Sequence, residues 1–508
     1  LLAHCCAGLA FAANQTSTVS PVLLDSSLPY RIELRPYDFG ESPLPTLHSY
    51  AAGIFGGKWV LIAGRTNGLH GFNSVAVSNF PPEFQNREIW VIDPVARQSW
   101  SRPLDQASAG LTTAELNSLT PANNQYYQRG NRLYMAGGYG LQLVLPNGDP
   151  FNSTFDTLSA IDLPGIIDWV VSGAGTAHDH IRQISDPQFR VTGGAMYEIN
   201  GRTHLVFGQD FQGNYTPGSN GIYTRQVRSF DIVDGMTLAV ANPSATMPDS
   251  NYRRRDLNVV PIIRADAGGA LHEELVALSG VFTTTFGAWT VPVEIDEFGN
   301  LTMDDALDAD TFKQGMNNYQ SARLGLYSES RGEMHTILFG GISLQYLNTV
   351  TGQIDTDNQL PFVNDISSLV IDSLGQYSQH RIGEFPLVAD ETGKRLRFGT
   401  NAEFFPAGGF ATYGNGVFEL DSIRQRSTLG YIYGGIVANG PHTRGVPDVT
   451  SIASNTIFEV VLIPVPEPSF STITLSGLIV VGYAHRRPPR RRACQLLSLP
   501  SPTYASLR

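Results

Sequence analysis

The chain has 508 residues, with 34 Lys and Arg against 46 Asp and Glu for a formal charge of −12. Six arginines follow the last acid, Glu467, so the body carries 28 basic residues against 46 acidic ones; at −18 it repels phosphate backbones, which argues against a nucleic acid partner. Cysteine occurs only at Cys5, Cys6 and Cys494, which excludes a disulfide framework, a thiolate metal site or a cysteine nucleophile between residues 7 and 493.

The first residues, "LLAHCCAGLAFAANQTSTVS", hold a short apolar run that ends in Ala10-Phe11-Ala12. This pattern fits the end of a secretory signal, truncated at its start, over 1–12, with 13–27 as a linker. A lone strand, "LPYRIELRP" (28–36), follows without a hairpin partner of its own.

From there a strand that ends in small residues recurs six times: "WVLIAGR", "RLYMAGGYG", "HLVFGQD", "LVALSGVF", "HTILFGGI" and "GYIYGGI". The second small residue falls at Gly64, Gly138, Gly208, Gly280, Gly341 and Gly435, in steps of 74, 70, 72, 61 and 94 residues. After five of them comes an alternating run that ends in an acid, then a turn, then a large apolar residue. The pairs are Asp93 with Trp100, Asp162 with Trp169, Asp231 with Leu238, Asp296 with Leu301, and Asp372 with Tyr377. Each is predicted to be a hairpin whose acid opens the turn. The sixth, "NTIFEVVLIPV", runs into proline with no closing strand. Short apolar strands precede the small-residue strands, among them "SYAAGIFGG", "MYEING", "VVPIIRA", "ARLGLYSES" and "GVFELDS".

Four antiparallel strands per repeat predict an all-β chain, a six-bladed β-propeller with seven blades as the alternative. Residues 28–36 are expected to pair with 456–463, supplying the missing strand and closing the ring without exposed edges.

Over 28–463 these features resemble kelch-type β-propellers, which include binding proteins and enzymes alike. The galactose oxidase type of copper chemistry is excluded, because its crosslinked tyrosine needs a cysteine that the body lacks. "GTAHDHIRQ" places His178 and His180 two apart, but with no third ligand in sight they are read as loop residues; no metal or other cofactor is expected. In a propeller, residues entering the inner strands often rim the central channel. The candidate ligand-binding rim is therefore Tyr127, Arg190, Arg254, Gln320 and Glu403, with Tyr50 at the first repeat. An aromatic, amide and charged rim of this kind suits a sugar or acidic glycan. The plainer reading of "NYRRRDLN" is a solvated loop with Arg255 paired to Asp256.

The tail "PVPEPSFSTITLSGLIVVGYAHRRPPRRR" (464–492) joins Pro466-Glu467-Pro468, an apolar stretch from Phe470 to Ala484 and an arginine block ending in Arg490, Arg491 and Arg492. Fifteen residues of helix at about 1.5 Å each fall short of a hydrocarbon core of about 30 Å. The three-part order resembles a PEP-CTERM sorting signal. That resemblance implies a short C-terminal helix, transient inner-membrane association, an exosortase as processing partner, and a Gram-negative host that makes exopolysaccharide. Residues 493–508 continue past such a signal as an extra tail, expected to be disordered.

The expected function is an exported binding or structural module of the cell envelope or extracellular matrix, for carbohydrate or for an envelope protein. The alternative is a propeller enzyme acting on glycans, as lyase, epimerase or hydrolase, with its site at the channel mouth.

Overall fold

The computed structural model describes residues 19–466 except 25–26, 217, 220, 286 and 444–449. Residues 1–464 form one unit and 465–508 a second, of which only Val465 and Pro466 are described. Glu467, Pro468, the expected C-terminal helix, Arg490, Arg491 and Arg492 lie outside the described residues, as does the expected signal over 1–12. Among the described residues no helix is long and apolar enough to cross a membrane.

The first unit is all-β, and its repeats become six mainly antiparallel sheets. The fifth is extended in parallel at one edge by Val22–Leu24, a strand within the expected linker, and at the other by Phe418–Glu419. The first runs Ala51–Phe55, Lys58–Ile62, Glu88–Asp93, Gln98–Pro103, each strand paired to the next. The second to fifth begin at Gln125–Arg129, Ala195–Ile199, Asn258–Ala265 and Ala322–Ser328 and follow the same up-and-down order. The sixth comprises Glu403–Pro406, Ser427–Tyr433, Ile457–Pro464 and, from the other end of the chain, Tyr30–Pro36. Tyr30 lies opposite Pro464 and Pro36 opposite Phe458, so the expected pairing of the early strand with the last one is present.

The second half of each second strand is largely buried because neighbouring sheets cover both its faces. Lys58–Ile62, Arg132–Ala136 and Arg202–Val206 are each buried from the second residue onward. The core is accordingly divided into layers between consecutive sheets. Val60 and Ile62 meet Leu133 and Met135; Tyr134 and Leu158 meet Leu205 and Phe230; Val206 meets Val259 and Ala277. Ile262 and Val276 meet Leu338 and Leu369, and Ile337 and Phe339 meet Ile432 and Val460. In a sixth layer Trp59 and Leu61 of the first sheet meet Phe405 and Tyr433 of the last, with Trp59 stacked on Phe405 at 4.2 Å.

Three expected elements differ. Asp162 does not open a hairpin: its side chain accepts from the Gly165 N–H at 3.2 Å and caps the helix Leu163–Ser172. Pro164 suits a helix's first turn, and Leu163, Ile166, Ile167 and Val170 recur at helical spacing to cover the first two sheets. The fourth strand of that sheet is instead Ile181–Ser185. In the third repeat the strand continues to Asp234 through a bulge at Ser229 and Asp231, so Asp231 sits mid-strand and pairs with Arg202 at 3.1 Å. "GVFELDS" supplies only Phe418–Glu419, which adds in parallel to the fifth sheet; the first strand of the sixth is Glu403–Pro406.

Candidate functional site

Six residues, Ser49, Asn123, Gly193, Asp256, Gln320 and Asn401, each stand two positions before the first strand of a sheet with φ between 49° and 67°. Their backbones are linked in sequence. The N–H of Asn123 donates to Ser49 O at 3.2 Å, Gly193 to Asn123 at 3.1 Å, Asp256 to Gly193 at 2.7 Å, Asn401 to Gln320 at 2.6 Å and Ser49 to Asn401 at 3.5 Å. Between Asp256 and Gln320 the link is a side-chain bond, Gln320 Nε2 to Asp256 Oδ1 at 3.0 Å. The chain of bonds returns to its start.

The recurring small pairs explain how the second strands end beside this ring. Gly64, Gly138, Gly208, Gly280, Gly341 and Gly435 all have φ between 82° and 98°. A Cβ at Gly64 would stand 2.5 Å from His48 O, and one at Gly341 2.7 Å from Tyr319 O. The residue after each of the first five glycines then bridges the residue before the ring position: Arg65 with His48, Tyr139 with Ala122, Gln209 with Thr192, Val281 with Arg255 and Ile342 with Tyr319.

All ten of these bridging residues line one cavity of about 490 Å³, walled by the long loops between second and third strands. One wall is aromatic. Phe80 lies 5.2 Å from Tyr139 and 5.7 Å from Tyr215, and His70 stacks on Phe80 at 4.9 Å. Burial pushes His48 down to about 3 and His70 to about 4, so both are neutral near pH 7. The Arg255 guanidinium pairs with Asp256 at 2.9 Å and donates to the Tyr223 hydroxyl at 2.9 Å. Burial opposes that charge, but Asp256 and Tyr223 hold Arg255 above its ordinary value. Arg65, 3% exposed, donates to Asn67 Oδ1 and Pro81 O at 3.0 Å each, and its guanidinium lies 5.2 Å over Phe80.

On the other side of the ring is a smaller cavity of about 90 Å³ lined by Tyr126, Tyr197, Arg323 and Glu403. Arg323 donates to the Tyr197 hydroxyl at 2.9 Å, and burial raises Glu403 although Arg323 and Tyr126 oppose the shift.

The sequence-derived rim is therefore redistributed. Gln320 is a ring residue and touches both cavities; Glu403 and Tyr50 line only the inner one. Tyr127 points away, its hydroxyl bonded to Glu198 at 3.0 Å and Thr203 at 2.9 Å, while its neighbour Tyr126 faces the inner cavity. Arg254 is completely buried, donating to Val291 O at 2.9 Å and lying 4.6 Å over Trp289, while its neighbour Arg255 lines the mouth. Both corrections have one cause: successive residues of an extended segment face opposite ways, so a one-residue shift exchanges cavity for core. Arg190 is paired with Asp156 at 2.9 Å and lines neither cavity. The expected Arg255–Asp256 pair is present, but half-buried at the cavity mouth rather than solvated.

His178 and His180 lie near Glu115 and Asp162, at 3.3 and 4.0 Å, and among the described residues no three His, Cys, Asp or Glu are grouped to hold a metal. The signal that marks the mouth residues was present in the sequence, as the position directly after each second glycine.

No protein-family model matches the chain, and no curated protein matches it. A solved structure described as "Structure of YjhT" is similar at 12% identity with a TM-score of 0.41, over 84% of this chain and 99% of that one. A likeness at that level carries no functional argument.

Proposed function

We propose that the chain is a binding module for carbohydrate, built as a six-bladed, kelch-like propeller with its ligand site in the mouth cavity. The observation that carries this reading is the cavity itself. Five of the repeats contribute a bridging pair to one concave space of about 490 Å³, within the range of small-molecule sites. Its wall of Phe80, Tyr139 and Tyr215 suits the apolar face of a sugar ring, and Gln209, Asn123 and Gln320 suit its hydroxyls. The six-fold ring of hydrogen bonds and the layer joining first and last sheets support six blades over seven. Binding is favoured over two-carboxylate hydrolysis because Asp256, the one carboxylate among the described residues that line the cavity, is already held by Arg255 and Gln320.

A glycan array probed with the purified body tests the reading. Retention of a defined glycan set, lost in Tyr215→Ala, is expected; no retained glycan overturns it.

We also propose that the chain is exported and sorted through its tail. The last strand ends at Pro464, and Pro466, the start of the Pro-Glu-Pro motif, is exposed. Mass spectrometry of the protein from a host with an exosortase should find the C-terminus cut near Pro466. An intact Arg508 end in that host overturns the sorting proposal.

A further inference from the structure

Arg65 is a charged side chain almost wholly removed from water, yet among the described residues it has no ion-pair partner. Its Nε and Nη2 are occupied by the neutral oxygens of Asn67 and Pro81, and among the described residues Nη1 has no hydrogen-bond partner. Glu83 acts on it electrostatically but is exposed and makes no ion pair with it. The adjacent His48 is neutral and Arg255 is already neutralised by Asp256, so neither supplies nor competes for an anion. Burying an uncompensated cation costs free energy unless an opposite charge completes the site. Arg65 lines the mouth cavity beside the Phe80 and Tyr215 wall. From this geometry we infer that the mouth cavity takes an acidic sugar, its anionic group on Arg65 and its ring against the aromatic wall.

The inference rests on the carbohydrate reading above and narrows it to one chemistry. Arginine suits a carboxylate or sulfate because its planar fork donates in parallel, and such charge-assisted bonds are about twice as strong as neutral ones. The acidity of the body does not oppose this, since charges beyond about 8–10 Å are screened at physiological salt. The contact with Arg65 is made at short range inside the cavity.

Calorimetric titration of the purified body with three probes decides the matter: a galacturonate trimer, its carboxyl-reduced galactose counterpart and a sulfated galactose trimer. An acidic trimer should bind about 10- to 100-fold more tightly than the neutral one, and the sulfated arm identifies which anion is preferred. Arg65→Met should bring the ratio of acidic to neutral affinity to about 1. Because Arg65 also braces Asn67 and Pro81, wild-type titrations at physiological and high salt provide a second reading that needs no variant. Over that range the repulsion of the body is already screened, so the acidic preference should shrink as salt anions compete for Arg65, whereas neutral binding should not. Equal affinity for acidic and neutral trimers, or a preference that survives Arg65→Met, overturns the Arg65 assignment and leaves the carbohydrate reading standing. Absence of binding by all three overturns the inference, and the glycan array then decides the broader reading separately.

Discussion

Gly341 and Gly352 both have positive φ, at 98° and 69°, but only Gly341 is crowded: a Cβ would meet Tyr319 O at 2.7 Å, whereas Gly352 has nothing within 4 Å. Gly352→Ala should cost about 1–2 kcal/mol of backbone strain, and Gly341→Ala about 3 kcal/mol or more, compared through urea midpoints. Buried histidines set the acid limit. Burial holds His48 down at about 3 and His204 at about 4, against about 6.5 unfolded. The unfolded chain therefore binds more protons between these values. Their contribution is intact above about pH 6.5 and is lost as pH falls toward 4, at about 1.4 kcal/mol per unit for each. Replacing both with Gln should reduce the fall of the urea midpoint between pH 7 and pH 5, leaving the share of His70, which burial also holds down at about 4. At this scale the sequence was legible in its glycines. The facing of Tyr127 and Arg254 was not, because one residue of register separates cavity from core.

Among elements, Tyr30–Pro36 matters most, since it covers the edge of Ile457–Pro464 and buries Tyr30, Ile32 and Leu34 in the layer between fifth and sixth sheets. A chain lacking residues 1–36 should expose that edge. Light scattering should register self-association, and the unfolding midpoint should fall well below that of the full chain. The partnership was readable because the sequence held one strand too many at its start and one too few at its end. The helix Leu163–Ser172 was missed although its apolar residues repeat at helical intervals, because the acid-turn-aromatic pattern of the other repeats also fitted Asp162 and Trp169. The pattern describes a turn opened by a carboxylate, and a helix cap is another turn of that kind.

For the molecule as a whole, Tyr30 and Pro464 lie opposite one another in register, so the two ends of the body are neighbours. A short Gly-rich linker from 464 to 28, with new termini at the fully exposed turn of Gly235 and Met236, should give a permutant with a near-parental melting curve by circular dichroism. Failure of the permutant to fold would contradict the proposed closed propeller.

The sequence alone determined the all-β class, the number of repeated strand endings and the joining of the first strand to the last. These depend on local demands: a small residue where φ is positive, alternation where one face is buried, and an edge that needs a partner. Only the tertiary structure decided that Arg65 and Arg255, rather than Arg190 and Arg254, reach the mouth, and that one of the two lacks a counter-ion among the described residues. Charge compensation depends on what the other repeats bring to the same cavity, and no stretch of the chain carries that information by itself.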